Sequence, residues 1–105
     1  MTGTAVDVKA MRKSAAEATG MLRALANEDR LLLLCQLSQG EHSVGELEEQ
    51  LDIHQPTLSQ QLGVLREQNL VSTRREGKQI HYRVSDLRAL SVLKSLYKLY
   101  CGGGK

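Results

Sequence analysis

Apolar positions along this chain recur at helical spacing over most of its length and switch to alternation once, beyond Leu70. Met11, Ala15, Ala18, Leu22 and Leu25 step by fours and threes, which draws one apolar seam along an α-helix. The alanines on that seam allow another helix to approach closely. Asn27 is suited to cap the next helix, with Glu28 and Asp29 favourable in its first turn. Leu31 to Leu37 is apolar almost all round, which predicts a fully buried helix, and Gly40 is its stop. Ser43-Val-Gly-Glu46 reads as a capping box, in which hydroxyl and carboxylate satisfy each other's exposed backbone donors. Val44, Leu47 and Leu51 then predict a short amphipathic helix ending at Asp52.

The stretch from His54 to Arg66 differs in kind. Pro56 suits the first turn of a helix, where a missing N–H costs nothing. Leu58, Leu62 and Leu65 make one narrow apolar stripe. Off that stripe stand Gln55, Thr57, Ser59, Gln60 and Gln61, uncharged but rich in hydrogen-bonding groups. Amides and hydroxyls both donate and accept, as reading the edges of base pairs requires. A helix face kept only for solubility more often carries Glu and Lys. A short helix, a turn at Asp52-Ile-His54 and this second helix form a helix-turn-helix pattern. Asn69 is suited to close the second helix in a left-handed conformation.

Val71–Glu76 and Gln79–Val84 then alternate roughly, with Ile80, Tyr82 and Val84 on one face. The connection Glu76-Gly-Lys78 makes them a β-hairpin. It carries Arg74, Arg75 and Lys78 near its tip, where a wing touches DNA backbone or the adjacent minor groove. Ser85-Asp86 starts a last helix with two stripes: Leu90, Leu93, Tyr97 and Tyr100, and then Val92, Leu96 and Leu99. One stripe can pack on the domain's own core. The other needs a partner, which the N-terminal seam and its copy in a second subunit can supply. The expectation is a mainly α winged helix-turn-helix with a small β-hairpin, in the order α-α-α-α-β-β-α. It forms a homodimer through its N- and C-terminal helices. Residues 1–10 are expected as a flexible arm, 11–101 as the domain and 102–105 as a flexible tail.

Composition sharpens this picture in three ways. The 105 residues have room for one domain, and without Phe or Trp its core must be mainly Leu, Val and Ala. The net charge of +2 conceals an asymmetry. Residues 1–69 hold six basic and ten acidic side chains, whereas residues 70–105 hold eight and two. The C-terminal part therefore presents a positive field suited to a polyanion. Finally, no apolar run is long enough to span a bilayer and no leader segment stands at the N-terminus, so a cytoplasmic location is expected. Thiols are normally reduced there, and a bond between the two cysteines reads as regulated rather than structural. No Ser-His-Asp constellation, phosphate-cradling glycine loop or zinc-catalytic signature suggests an enzyme.

With these motifs in this order, the chain resembles the ArsR/SmtB family of bacterial repressors over roughly residues 11–101. The resemblance rests on Leu25-Ala-Asn-Glu-Asp-Arg-Leu31, Ser43-Val-Gly-Glu-Leu47, the run from Gln55 to Arg66, and Arg75-Glu-Gly-Lys-Gln-Ile-His-Tyr-Arg83. It implies a dimer on inverted-repeat operator DNA, one recognition helix per half-site, that leaves when an inducer binds. Metal-sensing relatives carry Cys-x-Cys before the recognition helix; here Ser43 and Gly45 stand in those places. At a second common metal site only Asp86 matches, Arg88 occupies a would-be ligand position, and the last helix lacks His. His42, His54 and His81 are not at ligand spacing. No metal and no cofactor is expected.

Cys35 and Cys101 remain, 66 residues apart. The BigR-like dithiol subgroup of the family has one cysteine in each of these places. The resemblance implies that the pair reacts with persulfides, polysulfides or oxidants and that the resulting disulfide or polysulfide bridge releases DNA. On chain-entropy grounds such a closure is worth about 4 kcal/mol to folding. Release requires something else, namely that the bridge favour the DNA-incompetent arrangement differentially. Two alternatives stay open. In one the cysteines are inert, Cys35 is a small core hydrophobe, and the repressor answers to another ligand or metal. In the other the winged helix is a protein-interaction module without an operator.

Overall fold

The computed structural model describes residues 7–102. Its elements are α1 (Val8–Leu25), α2 (Glu28–Ser38), β1 (His42–Ser43), α3 (Val44–Leu51), α4 (Thr57–Glu67), β2 (Val71–Glu76), β3 (Gln79–Val84) and α5 (Leu87–Tyr97). A π-helical turn, Lys98–Gly102, follows α5. This is the expected winged helix-turn-helix with one strand more. β1 pairs with β3, so the sheet is three-stranded and antiparallel in the order β1-β3-β2. Two residues are too few to display a period of two, so β1 left no pattern in the sequence. The hairpin runs in register from Val71↔Val84 to Glu76↔Gln79 around the two-residue loop Gly77-Lys78. Gly77 has φ 62, which glycine adopts without strain.

Local chemistry fixes the helix ends. Asn27 Oδ1 accepts from the Arg30 N–H at 3.0 Å. The capping box closes, with Glu46 N–H donating to Ser43 Oγ at 3.2 Å and Ser43 N–H to Glu46 Oε1 at 2.8 Å. Asp52 (φ 57) and Asn69 (φ 60) end α3 and α4 in the left-handed region. Two starts differ from expectation. Asp7 accepts from Lys9 N–H at 3.0 Å, so α1 begins at Val8 rather than Met11. The rest of the expected arm, residues 1–6, and the expected tail beyond Gly102 lie outside the described residues. Pro56 sits just before α4 rather than in its first turn, with Leu58 N–H donating to His54 O at 3.0 Å.

The core gathers Leu33, Leu34 and Leu37 of α2, Leu47 of α3, Leu58, Leu62 and Leu65 of α4, Tyr82 and Val84 of β3, and Ala89 and Leu93 of α5. α2 runs through its middle but is not fully buried. Leu32 is 41% exposed, and Leu31 and Cys35 are only partly covered. One side of α2 packs on α3, α4 and β3 while the other opens toward the end of α5. α1 fully buries only Ala24 and Leu25, so the seam faces outward at Met11, Ala15, Ala18 and Leu22 and turns into the core at Leu25. The described chain is correspondingly elongated, 53 × 35 × 22 Å. Among the described residues no helix is long and apolar enough to cross a membrane.

Candidate nucleic-acid interface and dithiol site

The buried stripe of α4 decides what its other face can offer. With Leu58, Leu62 and Leu65 in the core, Ser59 and Gln60 stand exposed on the outer side and Thr57 is half-buried in the first turn. Gln55 is exposed but partly committed: its Oε1 accepts from the Ser59 N–H at 3.1 Å, capping a helix that its proline cannot cap. Gln61 is set apart from this group. It is half-buried, and its Oε1 accepts from Arg30 Nη1 at 2.9 Å. Arg30 also donates through Nε to Ala24 O at 2.7 Å and through Nη2 to Arg23 O at 3.1 Å. One guanidinium thus ties the C-terminal end of α1 to α4, a link across 31 residues that no local pattern announces.

The three expected wing cations also divide. Arg75 and Lys78 are exposed and, among the described residues, make no ion pair. Arg74 instead grips Glu41, with Nε at 2.9 and 3.0 Å and Nη2 at 2.8 Å, and reaches Glu76 through Nη1 at 3.4 Å. Its hydrogen bonds hold the Glu41 carboxyl below the ordinary carboxylate range. Arg83 on β3 is exposed without an ion pair among the described residues and was missed by sequence reasoning. Its polar position in an alternating strand was the available signal. In the turn before α4, His54 Nε2 lies 2.6 Å from Asp52 Oδ1 and Nδ1 lies 3.1 Å from Glu48 Oε2. The hydrogen bond to Glu48, then that to Asp52, raises the His54 pKa above its ordinary value.

Two positions where metal-sensing relatives place ligands have other work here. Ser43 Oγ caps α3, and Asp86 Oδ1 accepts from Arg88 N–H at 2.8 Å and Ala89 N–H at 3.0 Å, capping α5.

Both cysteines are free thiols, and both line one cavity of about 450 Å³ between α2, the end of α3 and the end of α5. Leu31, Leu32, Leu51 and Tyr97 form its apolar walls. A smaller pocket of about 140 Å³ beside it is again lined by both cysteines, with Leu96 and Tyr100. Cys101 stands four residues beyond Tyr97 in the last turn, and both face the same cavity. Cys35 is half-buried; burial pushes its thiol pKa up, and the neighbouring Cys101 pushes it the same way. Cys101 is exposed.

Against known proteins, the model of the bacterial regulatory protein family named arsR matches residues 27–73, from the cap of α2 into β2. A biofilm growth-associated repressor of Agrobacterium fabrum is 54% identical over 96 residues, covering 91% of this chain and 82% of that protein. The crystal structure of the transcriptional repressor BigR from Xylella fastidiosa superposes with a TM-score of 0.83 at 49% identity, over 91% of this chain and 98% of that one. A solution structure of a homodimeric winged helix-turn-helix DNA-binding domain from Mycobacterium bovis gives a TM-score of 0.74 at 29% identity, covering 94% and 89%.

Proposed function

The chain belongs to the arsR family of bacterial regulatory proteins, and from that premise we propose that it is a homodimeric transcriptional repressor controlled by its two thiols. Reduced, it binds an inverted-repeat operator; when Cys35 and Cys101 are oxidised or bridged by reactive sulfur species, as a disulfide or polysulfide, it releases the DNA. The observation that carries the reading is that cysteines 66 residues apart in sequence open onto one cavity, against the helix that also supports α4.

Ser59 and Gln60 are the foremost base-edge readers in this proposal, with Thr57 and the free end of Gln55 beside them. Arg75, Lys78 and Arg83 meet phosphate or the minor groove. Gln61 and Arg74 act from behind, one through Arg30 and the other through Glu41. Bridging draws the end of α5 against α2 and alters how two subunits present their reading helices. A bias of about 2.7 kcal/mol toward that arrangement lowers affinity roughly a hundredfold. The test is a titration of operator DNA with reduced and with persulfide-treated protein, with adduct masses taken from the same samples. A Cys35–Cys101 adduct and a large loss of affinity are expected. Unchanged affinity of the adduct, or release that survives Cys101→Ser, overturns the proposal.

A further inference from the structure

The two thiols sit in unlike surroundings, and the space they share is almost free of charge. We infer that this cavity receives a neutral, apolar polysulfane, with Cys101 attacking it first and Cys35 resolving the adduct. The inference rests on the dithiol reading above and adds to it the class of reactant and the order of events.

Position argues for the order. Within one chain Cys101 lies exposed in the π turn, whereas Cys35 is half-buried on α2, so a molecule arriving at the open side of the shared cavity meets Cys101 first. Nucleophilicity agrees, because only the thiolate attacks and burial keeps Cys35 protonated to higher pH. Once Cys101 holds an activated sulfur across the shared cavity, attack by Cys35 becomes intramolecular, and proximity offsets its smaller thiolate fraction.

Charge argues for the class. Leucine and tyrosine dominate the walls beside the neutral amides of Gln36 and Gln39; among the described residues Glu28 is the one charged residue lining the cavity, and no Lys, Arg or His lines either it or the smaller pocket. A guest bearing carboxylates surrenders hydration there and finds, among the described residues, two neutral amides but no cation to replace it, and it faces Glu28 as well. A small neutral polysulfane surrenders almost nothing polar and gains contact with Leu31, Leu32 and Tyr97.

For a trisulfane R–S–S–S–R the steps balance. Cys101 gives its proton to water, and its thiolate attacks a terminal sulfur. That S–S bond breaks and RSS⁻ departs, the hydropersulfide being a better leaving group than RS⁻. Cys101 now carries –S–R. Cys35 loses its proton, attacks Cys101 Sγ and expels RS⁻, which leaves a Cys35–Cys101 disulfide. The two thiols lose two electrons and two protons, and the trisulfane takes up the electrons and leaves as two anions.

The experiment treats the reduced protein with dimethyl trisulfide or with glutathione trisulfide, quenches with iodoacetamide and follows masses in time. Each rate is divided by that of the same reagent with a small free thiol. We expect a normalised preference for dimethyl trisulfide of at least about tenfold, the equivalent of 1.4 kcal/mol. Cys35→Ser accumulates a methylthio adduct on Cys101 at the wild-type rate, and Cys35→Ala repeats this should serine disturb the packing of α2. Cys101→Ser reacts at least about tenfold more slowly, in line with its remaining thiol being the half-buried one, whose pKa burial pushes up. Equal normalised rates overturn the neutral guest, and an undiminished rate in Cys101→Ser overturns the order. Operator binding on the same samples separates the two proposals: bridged protein that still binds DNA sinks the release reading and leaves the order intact. Release driven faster by glutathione trisulfide, after the same normalisation, sinks the neutral guest and leaves the release reading intact.

Discussion

Leu33, Leu34, Leu37, Leu47, Leu58, Leu62 and Leu65 are at most 2% exposed, all covered within one chain. In α1 and the last turns of α5 the situation is inverted: Val8, Met11, Leu22, Leu99 and Tyr100 are each at least 52% exposed. The middle is therefore complete as a folding unit, while the ends carry apolar surface that only another body can cover. Reading and assembly are separable by mutation for that reason, even though Arg30 connects them.

The hardest blow to the self-contained half is Leu62→Ala. Its side chain is 2% exposed between α2 and the sheet, so truncation should cost about 2–5 kcal/mol in denaturant unfolding. A cost well below that range would show that the middle also leans on the partner. Leu22→Glu attacks the other half. Placing a carboxylate on the open seam should raise the dimer dissociation constant by at least about tenfold in sedimentation equilibrium while leaving monomer unfolding unchanged. A subtler separation comes from Lys78→Ala at the wing tip. It should weaken operator and unrelated DNA alike and flatten the dependence of log affinity on log salt by about 0.9. A loss confined to one base position would assign Lys78 to base reading instead.

The smallest expected effect is one of pH. Asp52 and Glu48 raise the His54 pKa above its unfolded value, so their stabilisation is fully present below pH 6.5. It fades as pH rises through the elevated folded value. His54→Gln should lower the melting temperature slightly under mildly acidic conditions, and the difference should vanish on the alkaline side. A gap that persists there would show that packing, rather than protonation, is what His54 contributes.

Most of the middle could be read from the sequence because its signals are local. The capping box, the left-handed Asn69, the apolar stripe of α4 and the alternation of both hairpin strands each lie within a few residues and recur in the structure. What escaped depends on distance or on context. β1 acquires its strand character from Tyr82 and His81, some 40 residues on. The wing arginines look alike in sequence, yet Glu41 claims Arg74 and leaves Arg75 without an ion pair among the described residues. Gln61 looks like its polar neighbours in sequence, and only the structure shows Arg30 engaging it. α2 read as buried all round because its open side is equally apolar, and hydrophobicity alone does not say which chain will cover it. The cysteines showed their spacing in the sequence, but not the cavity or the unequal burial that gives them different chemistry.

Sheet order has a consequence of its own for β2. With β3 in the middle, β2 has one free flank whose backbone groups invite strand addition from another molecule. Arg74 and Arg75 stand on that strand, and charged side chains there oppose edge-to-edge pairing. Neutralising both to probe DNA contact therefore also removes a guard against self-association. A drop in operator binding by such a double variant belongs to the interface only if light scattering shows the protein still dispersed, and the single change at Arg75 is the cleaner instrument.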